Sequence, residues 1–160
     1  PQVMADLRIL SLEIQRMPKS VEELFAHPCN YPYLSVCTTS THDMNPVRAW
    51  WHENRETTQH YYNNVMQWWG EAPADASAEI CREIINRHLA SPAMLTILPL
   101  QDWMSIDGNL RFADPDAERI NVPANPTHYW RYRMHITLEQ LLAAEEFNAQ
   151  VEFLVKANYR

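Results

Sequence analysis

The chain has 160 residues, enough for one domain with a real core and hardly for two. Six Trp and seven Tyr against only two Gly give a packed globular composition with no repeat or low-complexity segment. A net charge of −7 argues against a nucleic-acid partner, which would require a concentrated basic face. No run of about 18 apolar residues is present, so no membrane span is expected. The start, Pro1-Gln2-Val3-Met4, has no signal-peptide pattern. Three cysteines, Cys29, Cys37 and Cys81, lack C-x-x-C spacing and read as reduced thiols of a cytoplasmic protein, not as a zinc site.

In chain order, Leu7 to Gln15 reads as a first strand, with Ser11, Glu13 and Gln15 on the alternate face as in a strand lining a polar interior. Ser20-Val21-Glu22-Glu23 fits a capping box opening a short helix that ends near Pro28. A second, β-branched strand runs from Leu34 and ends in the polar tip Ser40-Thr41-His42-Asp43. Asn45-Pro46 then reads as an N-cap with Pro at the first helical position, opening a long helical segment that Gly70 terminates. Ser77 caps a further helix with Ile80, Ile84, Ile85 and Leu89 along one face. Ala93 to Leu100 is a third, almost wholly apolar strand. Strands alternating with helices predict an α/β fold with parallel pairing and both sheet faces covered. Residues 101–136 show little periodicity, and a loop of that length inside a domain tends to be functional. Thr137-Leu138-Glu139-Gln140 opens a closing helix with a second capping box and an expected break near Asn148.

Three parallel strands leave two open edges, and a closed barrel of eight βα units needs about 250 residues. The chain is therefore expected to be a single segment, 1–160, forming the last part of such a barrel and self-associating when isolated.

His42-Asp43 lies where α/β proteins place their sites, in a strand-to-helix loop. An isolated His-Asp pair equally serves as a turn brace and helix cap. It also occurs in metal-dependent phosphohydrolases, but the other six histidines lack the required ligand spacing, so no metal or cofactor is expected. Gln101-Asp102 after Pro99 could simply build a turn. Asn121, in Glu118-Arg119-Ile120-Asn121-Val122-Pro123, could hydrogen-bond sugar hydroxyls or satisfy loop backbone. Trp50-Trp51 and Trp68-Trp69 could stack on sugars, yet at helical spacing beside Val47, Val65 and Met66 they read first as core.

Taken together and in order, several of these pieces resemble the C-terminal end of glycoside hydrolase family 77, the 4-alpha-glucanotransferases. They are Ile9 to Pro18, Ser40-Thr41-His42-Asp43 with Arg48-Ala49-Trp50-Trp51, Leu98 to Asp102, Glu118 to Pro123, and Tyr129-Trp130-Arg131-Tyr132-Arg133. The resemblance implies that the three strands are the sixth to eighth of a (β/α)8 barrel acting on maltodextrin or another α-glucan. It makes Asp43 the transition-state-stabilising carboxylate and His42 a hydrogen-bonding partner of the same sugar. Thr41, Arg48, Trp50, Gln101 and Asn121 become substrate-binding candidates. It also places the nucleophilic Asp and the acid/base Glu on strands four and five, upstream of Pro1, so this piece alone is expected to be inactive. The rival reading is a non-catalytic glycan-binding or interaction module.

Overall fold

The computed structural model describes residues 2–160. After a short helix α1 (Gln2–Asp6), strands β1 (Ser11–Ile14), β2 (Ser35–Thr38) and β3 (Leu95–Thr96) form one parallel sheet in the order β1-β2-β3. The register pairs Glu13 with Cys37 and Cys37 with Thr96, so these three share a face, while Leu12, Val36 and Leu95 share the other. All three strands are shorter than their apolar runs. Arg8, at φ 54°, reverses the chain after α1, so Leu7 and Arg8 never enter the ladder. Ile97 N–H makes the last bond of β3, to Cys37 O at 3.0 Å, and Pro99 then stops the strand.

The capping box at Ser20 opens no helix. Ser20 Oγ does accept from Glu22 N–H, at 3.3 Å, but only as a local turn. Val21 is fully exposed and Leu24 half exposed, so a helix here has no apolar face to bury. Phe25 alone docks, edge-on to Tyr61 with ring centroids 4.9 Å apart.

Between β2 and β3 the chain forms α2 (Val47–Glu53), α3 (Arg55–His60), a π-turn over Tyr61–Val65, and α4 (Ala78–Leu89). The expected single helix is broken at Asn54, whose side chain accepts from Thr57 N–H at 2.9 Å and so starts α3 afresh. The segment ends at Val65, five residues before the expected Gly70. Gln67, at a φ of 61°, turns the chain and Trp68 N–H closes back on Tyr62 O at 3.0 Å, while Gly70 takes a φ of 97° in the following loop. Ser77 caps α4 by accepting from Ile80 N–H, and Ile80, Ile84, Ile85 and Leu89 are all buried. These side chains form the core with Trp50, Trp51, Tyr61, Met104 and Ile106.

The two sheet faces are reversed from expectation. Glu13 and Gln15 are buried, and Gln15 Oε1 accepts from Tyr61 O–H at 2.7 Å on the helix-covered side. On the same side Cys37 Sγ lies 3.4 Å from the His88 carbonyl. The opposite face is apolar and open, with Leu12, Leu95 and Ile97 at 52, 43 and 59 % exposure. Helices therefore cover one face, not both.

Residues 101–136 begin as helix α5 (Leu100–Met104), which Pro99 precedes; beyond it they are irregular apart from a 3-10 turn at Asp116–Glu118. The Thr137 capping box forms in both halves and opens α6 (Leu138–Ala143). The following break falls at Ala144, before α7 (Glu145–Ala157), not at Asn148. Asn148 instead donates to the Leu141 and Leu142 carbonyls at 3.0 and 3.2 Å, satisfying the orphaned end of α6. Among the described residues no helix is long and apolar enough to cross a membrane.

Candidate active site

The β-branched run of β2 ends at Thr38, and the polar tip turns before α2 begins at Val47. The turn closes through Met44 N–H to Thr41 O at 3.2 Å, and Thr41 Oγ1 accepts from Asp43 N–H at 3.3 Å. This leaves His42 and Asp43 at the apex, each about half exposed, with His42 Nε2 3.3 Å from Asp43 Oδ2. Asn121 arrives from the long irregular stretch and donates through Nδ2 to Asp43 Oδ1 at 2.6 Å. The Trp130 indole, itself exposed, stands against His42 with ring centroids 5.0 Å apart. A carboxylate, an imidazole and a carboxamide thus converge at the carboxyl end of the central strand, with an aromatic surface beside them. That set offers both donors and acceptors to a polyhydroxylated ligand and an apolar wall to its ring. Among the described residues no cluster of three His, Cys, Asp or Glu side chains is placed to hold a metal ion.

The other candidates lie behind this apex. Arg48, Trp50 and Gln101 are buried, at 8, 7 and 4 % exposure, so none presents its side chain at the tip. Arg48 donates to Phe112 O at 2.6 Å and pairs with Glu118 at 3.5 Å. Gln101 donates to Glu118 O at 3.3 Å, and Arg119 Nε to Asn121 O at 2.8 Å. Together these bonds hold the strip that carries Asn121. Trp50 sits edge-on to Trp51 and Tyr61 in the core. Burial pushes the Glu118 carboxyl up to about 7, against the opposing pull of Arg48. Among the described residues neither Glu118 carboxyl oxygen accepts a hydrogen bond.

Two of these participants, Trp130 and Glu118, carry no local signal of a role in the sequence. Their contacts reach back to residues 88 and 70 positions earlier, His42 and Arg48, which local spacing does not reveal. Three other carboxylates, those of Asp6, Glu13 and Asp102, have partners of their own. Glu13 accepts from Ser11 and Lys19, Asp6 from Gln2, and Asp102 from the base of the tip itself. A surface groove of about 700 Å³, lined by Trp51, His52, Arg55, Glu71 and Asp75 among others, takes no residue from the His42–Asp43 cluster.

A family model described as 4-alpha-glucanotransferase, of glycoside hydrolase family 77, matches residues 1–139. The chain belongs to this family. The 4-alpha-glucanotransferase DPE2 of rice (Oryza sativa subsp. japonica) is 36 % identical over 158 residues, 99 % of this chain and 17 % of the relative. The 4-alpha-glucanotransferase of Aquifex aeolicus is 26 % identical over 144 residues, 90 % of this chain and 23 % of the relative. This family member thus spans about a fifth of the length of the relatives it matches. Its fold is shared with an amylomaltase from Streptococcus agalactiae solved in complex with acarbose. The TM-score is 0.71 at 19 % identity, covering 99 % of this chain and 29 % of that one. The parallel three-stranded sheet with flanking helices fits the α/β architecture expected from sequence.

Proposed function

We propose that this chain forms the C-terminal part of the catalytic (β/α)8 barrel of a 4-alpha-glucanotransferase, with β1, β2 and β3 as its sixth to eighth strands. In this reading the protein transfers α-1,4-glucosyl units between maltodextrins or onto a glycan acceptor, with retention. The observation that carries it is the half-exposed Asp43 carboxylate, held by Asn121 at 2.6 Å and flanked by His42 at 3.3 Å, at the end of the central strand. The apolar open face of the sheet supports the barrel reading, since barrel interiors are filled by branched apolar side chains.

Retaining transfer passes twice through an oxocarbenium-like state. A nucleophilic carboxylate attacks C1 as the C1–O4 bond breaks, and an acid delivers its proton to the departing O4. The acceptor hydroxyl then attacks C1 of the glycosyl-enzyme, loses its proton to the same acid/base residue, and frees the nucleophile. We assign those two carboxylates to residues outside these 160. Asp43 and His42 grip ring hydroxyls and favour the flattened, charge-bearing sugar over the relaxed chair, which is differential binding of the transition state. Asn121 fixes one carboxylate oxygen and contacts the same sugar, and Thr41 braces the turn. Arg48 and Gln101 act by holding the Asn121 strip, and Trp50 by packing in the core against Tyr61 beneath the Arg16 guanidinium. The three free thiols support a reducing, cytoplasmic setting.

The test is maltotriose disproportionation by a polypeptide that joins this chain to the preceding barrel strands. Asp43→Asn should abolish the ladder of longer maltodextrins and Asn121→Ala should weaken it; a ladder formed by Asp43→Asn at wild-type rate would remove the assignment. The 160-residue chain alone should form no ladder.

A further inference from the structure

Two charged side chains that the proposed chemistry does not use converge on the base of the His42–Asp43 loop. Asp102, on α5, is 1 % exposed and directs both carboxylate oxygens at that loop. Its Oδ2 accepts from Thr39 Oγ1 at 2.5 Å and Ser40 Oγ at 2.7 Å, where the loop leaves β2. Its Oδ1 accepts from Val47 N–H at 2.8 Å, where the loop enters α2. Arg16, two residues beyond β1, makes the matching connection from the other side. Its Nη2 donates to Thr39 O at 2.8 Å and to Asn45 O at 2.9 Å, and its Nε to Thr39 O at 3.2 Å. The guanidinium lies over the Trp50 ring, 5.0 Å from its centroid, which restricts it to this orientation.

A carboxylate serving only as a helix cap would need the Val47 bond and no more. Asp102 also takes two hydroxyls from the strand side, and Arg16 likewise bonds both ends of the loop. Because β2 lies between β1 and β3, one charge reaches the loop from the segment that follows each neighbouring strand. The loop is pinned at residues 39–40 and 45–47, and only the apex turn that bears His42 and Asp43 is left outside the clamp.

We propose that Asp102, with Arg16 opposite it, is a positioning residue for glucosyl transfer: it sets the spacing of the two loop ends and so places Asp43 against Asn121 and the sugar. This rests on the reading of Asp43 given above. Group transfer is steep in geometry, so releasing the clamp should slow chemistry more than it weakens binding.

The test is Asp102→Asn in the long polypeptide, together with hydrogen exchange of the 160-residue chain. The amide keeps an oxygen for Val47 but puts a donor NH2 where Oδ2 accepted both hydroxyls. It should lower kcat for maltotriose about a hundredfold, with KM little changed, and speed exchange at residues 41–47 without speeding it in α4. Should Asp102→Asn fail to fold, the double variant Thr39→Val with Ser40→Ala removes the same two hydroxyls and should show the same pattern. A wild-type kcat, or a loss carried entirely in KM, would overturn the proposal. The failures separate cleanly. An active Asp43→Asn enzyme refutes the reading of the site, whereas an inactive Asp43→Asn enzyme beside a fully active Asp102→Asn enzyme refutes the clamp alone.

Discussion

Asp43 is partnered at both carboxylate oxygens and still accessible. Asn121 holds Oδ1 and His42 flanks Oδ2, yet about half of the side chain stays accessible. Two deeply buried groups behind it titrate in opposite senses. Burial lowers His88 from 6.5 to about 4, its hydrogen bond to the Ile84 carbonyl opposing this. The folded state therefore refuses a proton that the unfolded chain accepts, and stability falls as pH drops from 6.5 toward 4, by up to about 3 kcal/mol. Glu118 does the reverse. Its folded carboxyl, raised from 4.5 to about 7, keeps a proton that the unfolded chain releases, so its contribution is complete below 4.5 and lost as pH rises through 7. Between 4.5 and 6.5 the two slopes oppose each other. Glu118→Gln should remove one of them, so that the thermal midpoint climbs across this window instead of staying level. Melting curves of both proteins check this, and superimposable pH profiles would contradict it.

At the scale of elements, helix α4 is the clearest case of local chemistry prevailing. Ser77, the apolar stripe and the buried face all agree, and Ser77→Ala should cost about 1 kcal/mol in urea unfolding. An unchanged midpoint would mean that packing alone sets the start of that helix. The Thr137 capping box was equally legible, because both of its bonds lie within four residues. Ser20 carried the same signature and failed, since Val21 and Leu24 have nothing to pack against. The apolar runs marked the strands but not their lengths, because a ladder extends only as far as its neighbour does. Within the site, His42 and Asp43 were legible as consecutive residues at a strand end, and Asn121 through its motif. The core placement of Trp50 was legible from its helical spacing, but the inward placement of Arg48 and Gln101 was not, because it depends on how the 112–121 strip folds over α2 and α5. Asp102 was read as part of a turn for a similar reason: its partners are 55 to 63 residues away.

At the scale of the molecule, the three-stranded sheet has two free edges among the described residues. Strands β1 and β3 each have one neighbour, and the face bearing Leu12, Leu95 and Ile97 is uncovered. Unpaired parallel edges beside an apolar face favour association. The isolated chain should therefore self-associate at micromolar concentration, and Ile97→Lys should reduce this; a monodisperse monomer in light scattering would contradict the expectation. In the barrel reading the same face is filled by the missing strands, and the apex of the β2 loop becomes one wall of the barrel mouth. In the proposed function, that wall contributes stabilisation of the transition state by Asp43. The most direct measurement is kcat for maltotriose transfer by Asp43→Asn in the long polypeptide. The account predicts a fall of about a hundredfold to a thousandfold with the fold intact, and a kcat within the error of wild type would contradict it.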